Sequence, residues 1–373
     1  MRCPILNYLP VPPSGKTGWP WTEESPQLLN IMSNSRPWPK ISIVTPSYNQ
    51  GQFIEETIRS VLLQGYPNLE YIIIDGNSTD NSIEIIKKYQ KYLTCFITEA
   101  DRGPSDAIRK GWNKATGEIV AYLNSDDAYT PGALACVSQA FAQDAKSIAI
   151  CGNEFTIDKE GFILSKSDIK VVNYLTLLKC NWVSQPATFI YKSSLDSVGG
   201  MNQEIKYTFD LELLLRIARF GSIKCIPERL AVTRWHDNTI TFTQRSKIAD
   251  ELVRIFEATI TDYPLKLTKK EKWQMLCRIN QIAMGSYLIQ KNFLGSLRYA
   301  MRALYYTSSL MEKVKSILYY ARVCYGTGKF YFGKLFSNTQ TLSHKRILDK
   351  NTNKPIHWSR FFNNPVKSPK VKL

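Results

Sequence analysis

Carboxylates at the ends of predicted strands are the residues best placed to do chemistry in this 373-residue chain. Asn124-Ser125-Asp126-Asp127 follows an apolar stretch that ends at Leu123. Adjacent carboxylates repel one another, and a divalent cation relieves the repulsion. Hard oxygen donors suit Mg²⁺ or Mn²⁺ bridging two phosphates. The same residues also suit a plain turn before Pro131. Asp75 closes the run Tyr71-Ile72-Ile73-Ile74 and opens Gly76-Asn77-Ser78-Thr79-Asp80. Its carboxylate can accept the N–H groups of a base or a ribose hydroxyl, or simply end a tight Gly-Asn turn. In Thr45-Pro46-Ser47-Tyr48-Asn49 the Tyr48 ring can stack on a flat heterocycle or pack on the next helix. Asp210 opens the helix Asp210-Leu211-Glu212-Leu213-Leu214-Leu215-Arg216. There it is either a cap favoured by the helix dipole or a general base toward an alcohol. His236 is one of three histidines and lies between Trp235 and Asp237. It faces either a metal and diphosphate or the protein interior.

These groups need elements to hold them. Ile41 to Thr45 reads as a strand. Phe53 to Gln64 carries Ile54, Ile58, Val61 and Leu62 at helical spacing. Tyr71 to Asp75 is a continuous apolar strand, as a parallel sheet covered on both faces requires. Ser82 to Tyr92 is a helix, Cys95 to Thr98 a strand, and Pro104 to Ala115 a helix stopped by Gly117. Glu118 to Leu123 is the fourth strand. Strands alternating with helices predict a doubly wound, mostly parallel α/β sheet. The loops Pro46–Gln52, Gly76–Asp80 and Asn124–Asp127 all follow strands at their carboxyl ends, where open α/β sheets bind ligands. Thr188–Tyr191 reads as a later strand and Leu211–Phe220 as a helix. Residues 245–325 look helical, with a hairpin over Gly285–Tyr305 centred on Gly295.

Hydrophobic residues are 44% and charged residues 21% of the chain, with 12% aromatics, which excludes general disorder. The net charge of +16 calls for an anionic partner. Residues 334–373 hold nine Lys or Arg against Asp349 alone, together with Trp358, Phe361 and Phe362. That segment fits either a solvated tail or contact with an anionic membrane. No nucleic-acid motif is present, so no nucleic-acid partner is expected. The eight cysteines form no C-x-x-C pair and fit free thiols in a reducing compartment. No signal peptide or membrane span is expected, which predicts a cytoplasmic protein, peripheral at most on the inner face of the plasma membrane.

Five segments in this order resemble glycosyltransferase family 2, whose members have the GT-A fold. They are ISIVTPSYNQGQFIEETIRSVLLQ, YIIIDGNSTDNS, EADRGPSDAIRKGWNKATGEIVAYLNSDD, QPATFIYKSSLDSVGGMN and FDLELLLRIARFG, spanning about Ile41 to Thr241. The resemblance implies an inverting transferase that moves a sugar from a nucleotide-diphosphate donor, UDP favoured, to a hydroxyl of a saccharide or lipid-linked acceptor, as in bacterial surface-polysaccharide assembly. By it, Tyr48 stacks on the base, Asp75 binds it, and Thr45 and Pro46 shape the pocket. Asp126 matches the metal ligand of the D-x-D motif, His236 a histidine near metal and diphosphate, and Asp210 the catalytic base. Two positions depart from the pattern. Asn124 replaces the first acid of D-x-D, in the place that touches the donor's ribose. Arg109 stands where this branch has Asn. The implied organisation is an N-terminal arm at 1–39 and a GT-A domain at 40–244, with a nucleotide-binding half at 40–130 and an acceptor half at 131–244. A helical extension follows at 245–325, then a basic tail at 326–373. Rival readings are a nucleotidyltransferase, which would want Lys or Arg within Pro46–Phe53, and a nicotinamide dehydrogenase, which would want G-x-G-x-x-G after a strand. A degenerate sugar-nucleotide-binding or scaffold protein is the non-enzyme alternative, resting on Asn124.

Overall fold

Strand residues that alternate between two covered faces set the architecture. The computed structural model describes residues 1–144, 146–169, 171–180, 183–262, 267–307, 346–349 and 352–363. The first half runs β1 (Ile41–Ser47), α1 (Ile54–Leu62), β2 (Leu69–Asp75), α2 (Ser82–Tyr89), β3 (Cys95–Thr98), α3 (Pro104–Lys114) and β4 (Ile119–Tyr122). Ile41, Ile43, Tyr71 and Ile73 point to one face, against α1 and α2. Val44, Ile72, Ile74, Val120 and Tyr122 point to the other, against α3. Strands buried on both sides read as unbroken apolar runs for this reason. These four strands are parallel, in the order β3-β2-β1-β4.

The second half runs β5 (Ala128–Tyr129), α4 (Ala133–Gln143), β6 (Ser147–Ile157), β7 (Ile163–Lys166), α5 (Tyr174–Leu178), β8 (Thr188–Tyr191), α6 (Lys192–Ser197), α7 (Phe209–Ile217) and β9 (Ser222–Arg234). The sheet continues β4-β8-β6-β9-β5, with β7 paired to β6. β8 is antiparallel to both neighbours, whereas β6 and β9 are parallel. The chain thus reverses direction beside β4, and a cleft opens at that junction. Last come α8 (Ile240–Thr243), α9 (Arg245–Asp262), α10 (Lys269–Ile289) and α11 (Phe293–Tyr305). Ile248, Leu252, Phe256, Ile279 and Ala283 seat the helical extension on the α3 side. The predicted hairpin is present, but its turn is at 290–292, where Asn292 caps α11. Gly295 lies inside α11 because a Cβ there would come within 2.0 Å of the Tyr287 ring.

The N-terminal arm packs on the α1 face with Trp19, Trp21 and Trp38 buried. Arg59 fastens it. This fully buried guanidinium donates to the carbonyls of Pro10, Pro20 and Trp21 at 2.8–3.0 Å. The seven described cysteines are free thiols, and Cys324 lies outside the described residues. No helix among the described residues is long and apolar enough to cross a membrane.

The basic tail departs from expectation. Ile347 donates to the Ile163 carbonyl, Phe162 pairs with His357, and Arg346 binds Asp158 at 2.7 Å and Glu160 at 3.1 Å. Trp358 is fully buried and Phe361 packs on Phe155. These two aromatics complete the core and are not available to a bilayer. Composition misled here because Trp358 finds a buried carboxylate for its N–H. Residues 308–345, 350–351 and 364–373, and with them most of the basic charge, lie outside the described residues, as does the Phe362 side chain.

Arg59→Leu would strand three buried carbonyls, at about 1–3 kcal/mol each. It should lower unfolding stability by at least ~3 kcal/mol, whereas Lys192→Ala, which breaks an exposed pair with Asp196, should move it by less than ~0.5 kcal/mol. Equal effects in denaturant unfolding would refute the fastening role.

Candidate functional site

A cleft of about 940 Å³ opens at the carboxyl ends of β1, β2 and β4 and is closed on its far side by α7 and β9. At one end lies a narrow slot. Tyr48 is exposed there, and Pro46, Gly76 and Asp101 form its floor and wall. A Cβ on Gly76 would fall 2.8 Å from an Asp101 carboxylate oxygen and 3.3 Å from the Tyr48 ring. Only glycine keeps the slot open. Burial raises the Asp101 carboxyl above its ordinary value.

Thr45 and Asp75 are not on the cleft wall. Thr45 is fully buried and its hydroxyl meets Tyr71 at 3.1 Å, because strand alternation turns it into the layer. Asp75 is fully buried too. Its carboxylate accepts the Ser78 N–H at 2.8 Å, the Ser78 hydroxyl at 2.6 Å and the Thr98 hydroxyl at 3.2 Å. It therefore fixes the turn under the slot, and Asp101 is the acid that faces inward. Sequence reading missed Asp101 because only the loops after β1, β2 and β4 were weighed. The same strand-end rule applied to β3 finds it.

The centre of the cleft carries the Asn124–Asp127 loop. The buried Thr57 hydroxyl donates to the carbonyls of Ser125 and Asp127, so α1 holds the loop in place. Asp127 is buried; it accepts the Arg234 backbone N–H at 2.9 Å and the Asn124 amide at 3.3 Å. Burial, and then the neighbouring Asp126 charge, push its carboxyl well above the usual range. Asn124 also donates to Gln185 at 3.2 Å. An aspartate at 124 could donate neither bond and would add a third carboxylate, so Asn124 suits this loop and is no sign of decay.

Asp126 lies on the cleft wall, and one of its oxygens is 3.1 Å from His236 Nε2. His236 itself stands behind Asp126, against the Phe53 ring at 5.0 Å, and is not part of the wall. Among the described residues no cluster of three His, Cys, Asp or Glu could form a closed metal cage. Mg²⁺-type ions are held instead by one or two carboxylates plus substrate phosphates, and adjacent octahedral donors at ~2.1 Å are about 3.0 Å apart. Asp126, on the wall, could supply such a carboxylate, with His236 Nε2 hydrogen-bonded to it from behind. Arg109, in contrast, pairs with Asp106 at 2.9 Å and does not line the cleft. Burial of Asp106 is outweighed by Arg109 and Arg102, which bring its carboxyl down to about 2.

Asp210, in the first turn of α7, lines the same cleft as Asp126. Burial raises its carboxyl above the ordinary 3.8. Glu212 points elsewhere and is chelated by Arg216 at 2.7 and 2.8 Å. Glu154, on β6, also lines the cleft and was missed; its signal was a lone acid in an apolar strand. One of its oxygens accepts the Ser184 and Thr233 hydroxyls, and burial raises its carboxyl above 4.5.

The sequence model for Glycosyl transferase family 2 matches residues 42–198. An uncharacterised glycosyltransferase of Haemophilus influenzae is 33% identical over 184 residues, which cover 48% of this chain and 73% of that protein. A poly-beta-1,6-N-acetyl-D-glucosamine synthase of Staphylococcus epidermidis is 30% identical over 46% of this chain and 44% of its own length. The crystal structure of S. aureus TarS 1–349 in complex with UDP-GlcNAc superposes with a TM-score of 0.58 at 17% identity, covering 78% of this chain and 93% of that one. That likeness carries the GT-A fold.

The raised Glu154 carboxyl stabilises the fold in its neutral form. That contribution is whole below the unfolded value and is lost as pH rises through the folded one. Glu154→Gln should therefore gain Tm relative to wild type between about pH 5 and pH 8. A difference that stays flat or shrinks with pH would show that the carboxylate ionises there without penalty.

Proposed function

This chain belongs to glycosyltransferase family 2, and from that premise we propose that it moves one sugar from a nucleotide-diphosphate donor to a hydroxyl acceptor, inverting the anomeric centre. One observation carries the reading: Asp126, at the end of β4, and Asp210, on α7, line a single cleft that also includes Tyr48, Gly76 and Asp101. The ring slot takes the base, with Tyr48 on its face and Asp101 accepting a base N–H; Pro46 shapes the floor, and Asp75 acts from beneath by fixing the Gly76–Ser78 turn. Asn124 lies beside the ribose. UDP is the nucleotide that the family resemblance favours, and the Asp101 carboxylate can accept the N3–H of uracil. Asp126, with His236 behind it, would hold Mg²⁺ or Mn²⁺ at the diphosphate. Such an ion neutralises the leaving nucleoside diphosphate.

The chain's own groups do the remainder. Asp210 takes the acceptor's hydroxyl proton while that oxygen bonds to the anomeric carbon. The bond from that carbon to the diphosphate oxygen breaks on the opposite face. A single displacement inverts the centre and needs no second catalytic acid. The raised Asp210 carboxyl supports a base role, because a stronger base accepts the proton more readily. A saccharide or lipid-linked acceptor in surface-polysaccharide synthesis is supported by the resemblance to the poly-N-acetylglucosamine synthase. Free thiols support a cytoplasmic site of action. A screen of nucleotide sugars by mass spectrometry, with Mg²⁺ or Mn²⁺, tests the reading directly; no transfer and no donor hydrolysis with any donor would return the protein to a binding role.

Asp210→Asn should lose roughly 10²–10⁴ in turnover with donor affinity near wild type. The wild-type rate should rise with pH through an acid limb above that of an ordinary aspartate. An active Asp210→Asn beside a dead Glu212→Gln would mean the wrong acid has been chosen, and a product with retained configuration would sink the single displacement.

Asp126→Ala should abolish transfer and remove the metal requirement of donor binding. Full wild-type activity in EDTA would contradict the cation's role.

A further inference from the structure

Trp358, in the C-terminal segment, lies far beyond the family match at 42–198, yet it is joined to the centre of the site through two residues. Trp358 is fully buried, and its indole N–H donates to Glu56 Oε1 at 2.9 Å. Glu56, on α1, is also buried, and its other oxygen holds the Arg234 guanidinium at 3.1 Å. Arg234 in turn donates from Nε to the Asp126 carbonyl at 3.0 Å and from its backbone to Asp127 at 2.9 Å. Two residues on, His236 meets the Asp126 carboxylate. The second guanidinium arm reaches the carbonyls of Asp158 and Lys159, in the turn that Arg346 pins from the C-terminal segment. A line of direct contacts therefore runs from Trp358 to both aspartates of the loop.

A buried ion pair holds its geometry only when the remaining lone pairs and protons are satisfied. The indole N–H supplies that missing bond for Glu56. Without it, one buried carboxylate oxygen is unpaired, and Glu56 must turn or take up water. Either response loosens the guanidinium that sets the Asp126 backbone.

We propose that the C-terminal segment is a working part of the donor site, with Trp358 a positioning residue that holds the Asp126–Asp127 loop ready for a cation through Glu56 and Arg234. The inference rests on the reading of Asp126 as a cation ligand. It predicts an effect confined to metal-dependent binding.

Calorimetry of UDP with the full-length protein, with and without Mn²⁺, tests it. Trp358→Phe keeps the ring and removes the N–H. UDP affinity in Mn²⁺ should fall by roughly three- to tenfold, with metal-free affinity unchanged. Trp38→Phe is the control, because Trp38 is buried in the same layer and its indole N–H serves the Leu29 carbonyl within the N-terminal arm. It should lower Tm without the metal-selective loss. Glu56→Gln keeps the indole bond and weakens the grip on Arg234; it must show the same metal-selective loss, and it carries the test if the phenylalanine variant does not fold. Unchanged UDP affinity in Mn²⁺, or an equal loss in Trp38→Phe, overturns the proposal. Asp126→Ala separates the two layers of the argument. If it erases the gain from Mn²⁺ while Trp358→Phe retains it, the cation site stands and the brace falls. If Asp126→Ala itself retains the gain, the loop is not the cation site and both fall.

Discussion

Asp126 and Asp127 stand side by side where β4 ends, and two carboxylates so close and so sheltered repel strongly. Asp127 answers by burial and a raised carboxyl, with its oxygens given to a backbone N–H and an amide. Asp126 is left to face the cleft. Everything around the pair serves to keep that arrangement. Thr57 pins the loop carbonyls, Asn124 donates where an acid would repel, and Arg234 brings positive charge to the backbone without entering a bond with either carboxylate side chain through its guanidinium. The loop therefore keeps one carboxylate on the cleft wall, with His236 behind it.

The two halves of the sheet divide the labour. The parallel half ends three strands at one edge, so the slot and the acidic loop are neighbours by topology alone. The mixed half brings α7 and β9 to the opposite wall, and with them Asp210 and Arg234. Carboxyl groups line both walls of the cleft. Asp101, Asp127, Glu154 and Asp210 are all raised by burial, which stores unfavourable energy in the site when no positive charge is present.

Much of this was legible in the sequence, for physical reasons that can be named. Runs such as Tyr71-Ile72-Ile73-Ile74 admit only a strand covered on both faces, so the parallel half and its strand-end loops could be placed from residue order. Pro46, Tyr48, Asn124 and Asp126 lie on the cleft at those strand ends, whereas Asp210, on α7 of the mixed half, was reached only from the acid that opens its helix and from the family resemblance. Thr45 and Asp75 did not, because a residue at a strand end points in or out according to a register that apolar runs do not reveal. Trp358 was hidden more deeply. Its neighbours Lys354 and Arg360 are exposed, so local composition describes a solvated segment. Its partner Glu56 reads as one more acid on a helix. Only the tertiary fold joins them.

That junction has a consequence in time. Trp358 meets a carboxylate 302 positions earlier in the chain, and at about 5–20 residues per second a ribosome separates their synthesis by roughly 15–60 s. During that interval α1, the parallel strands and the acidic loop can all form, but the Glu56–Arg234 pair remains unfinished. A nascent or prematurely terminated chain would carry every acid of the cleft and still lack the contact that completes their support. The support of the acidic loop is thus finished only once synthesis has passed Trp358.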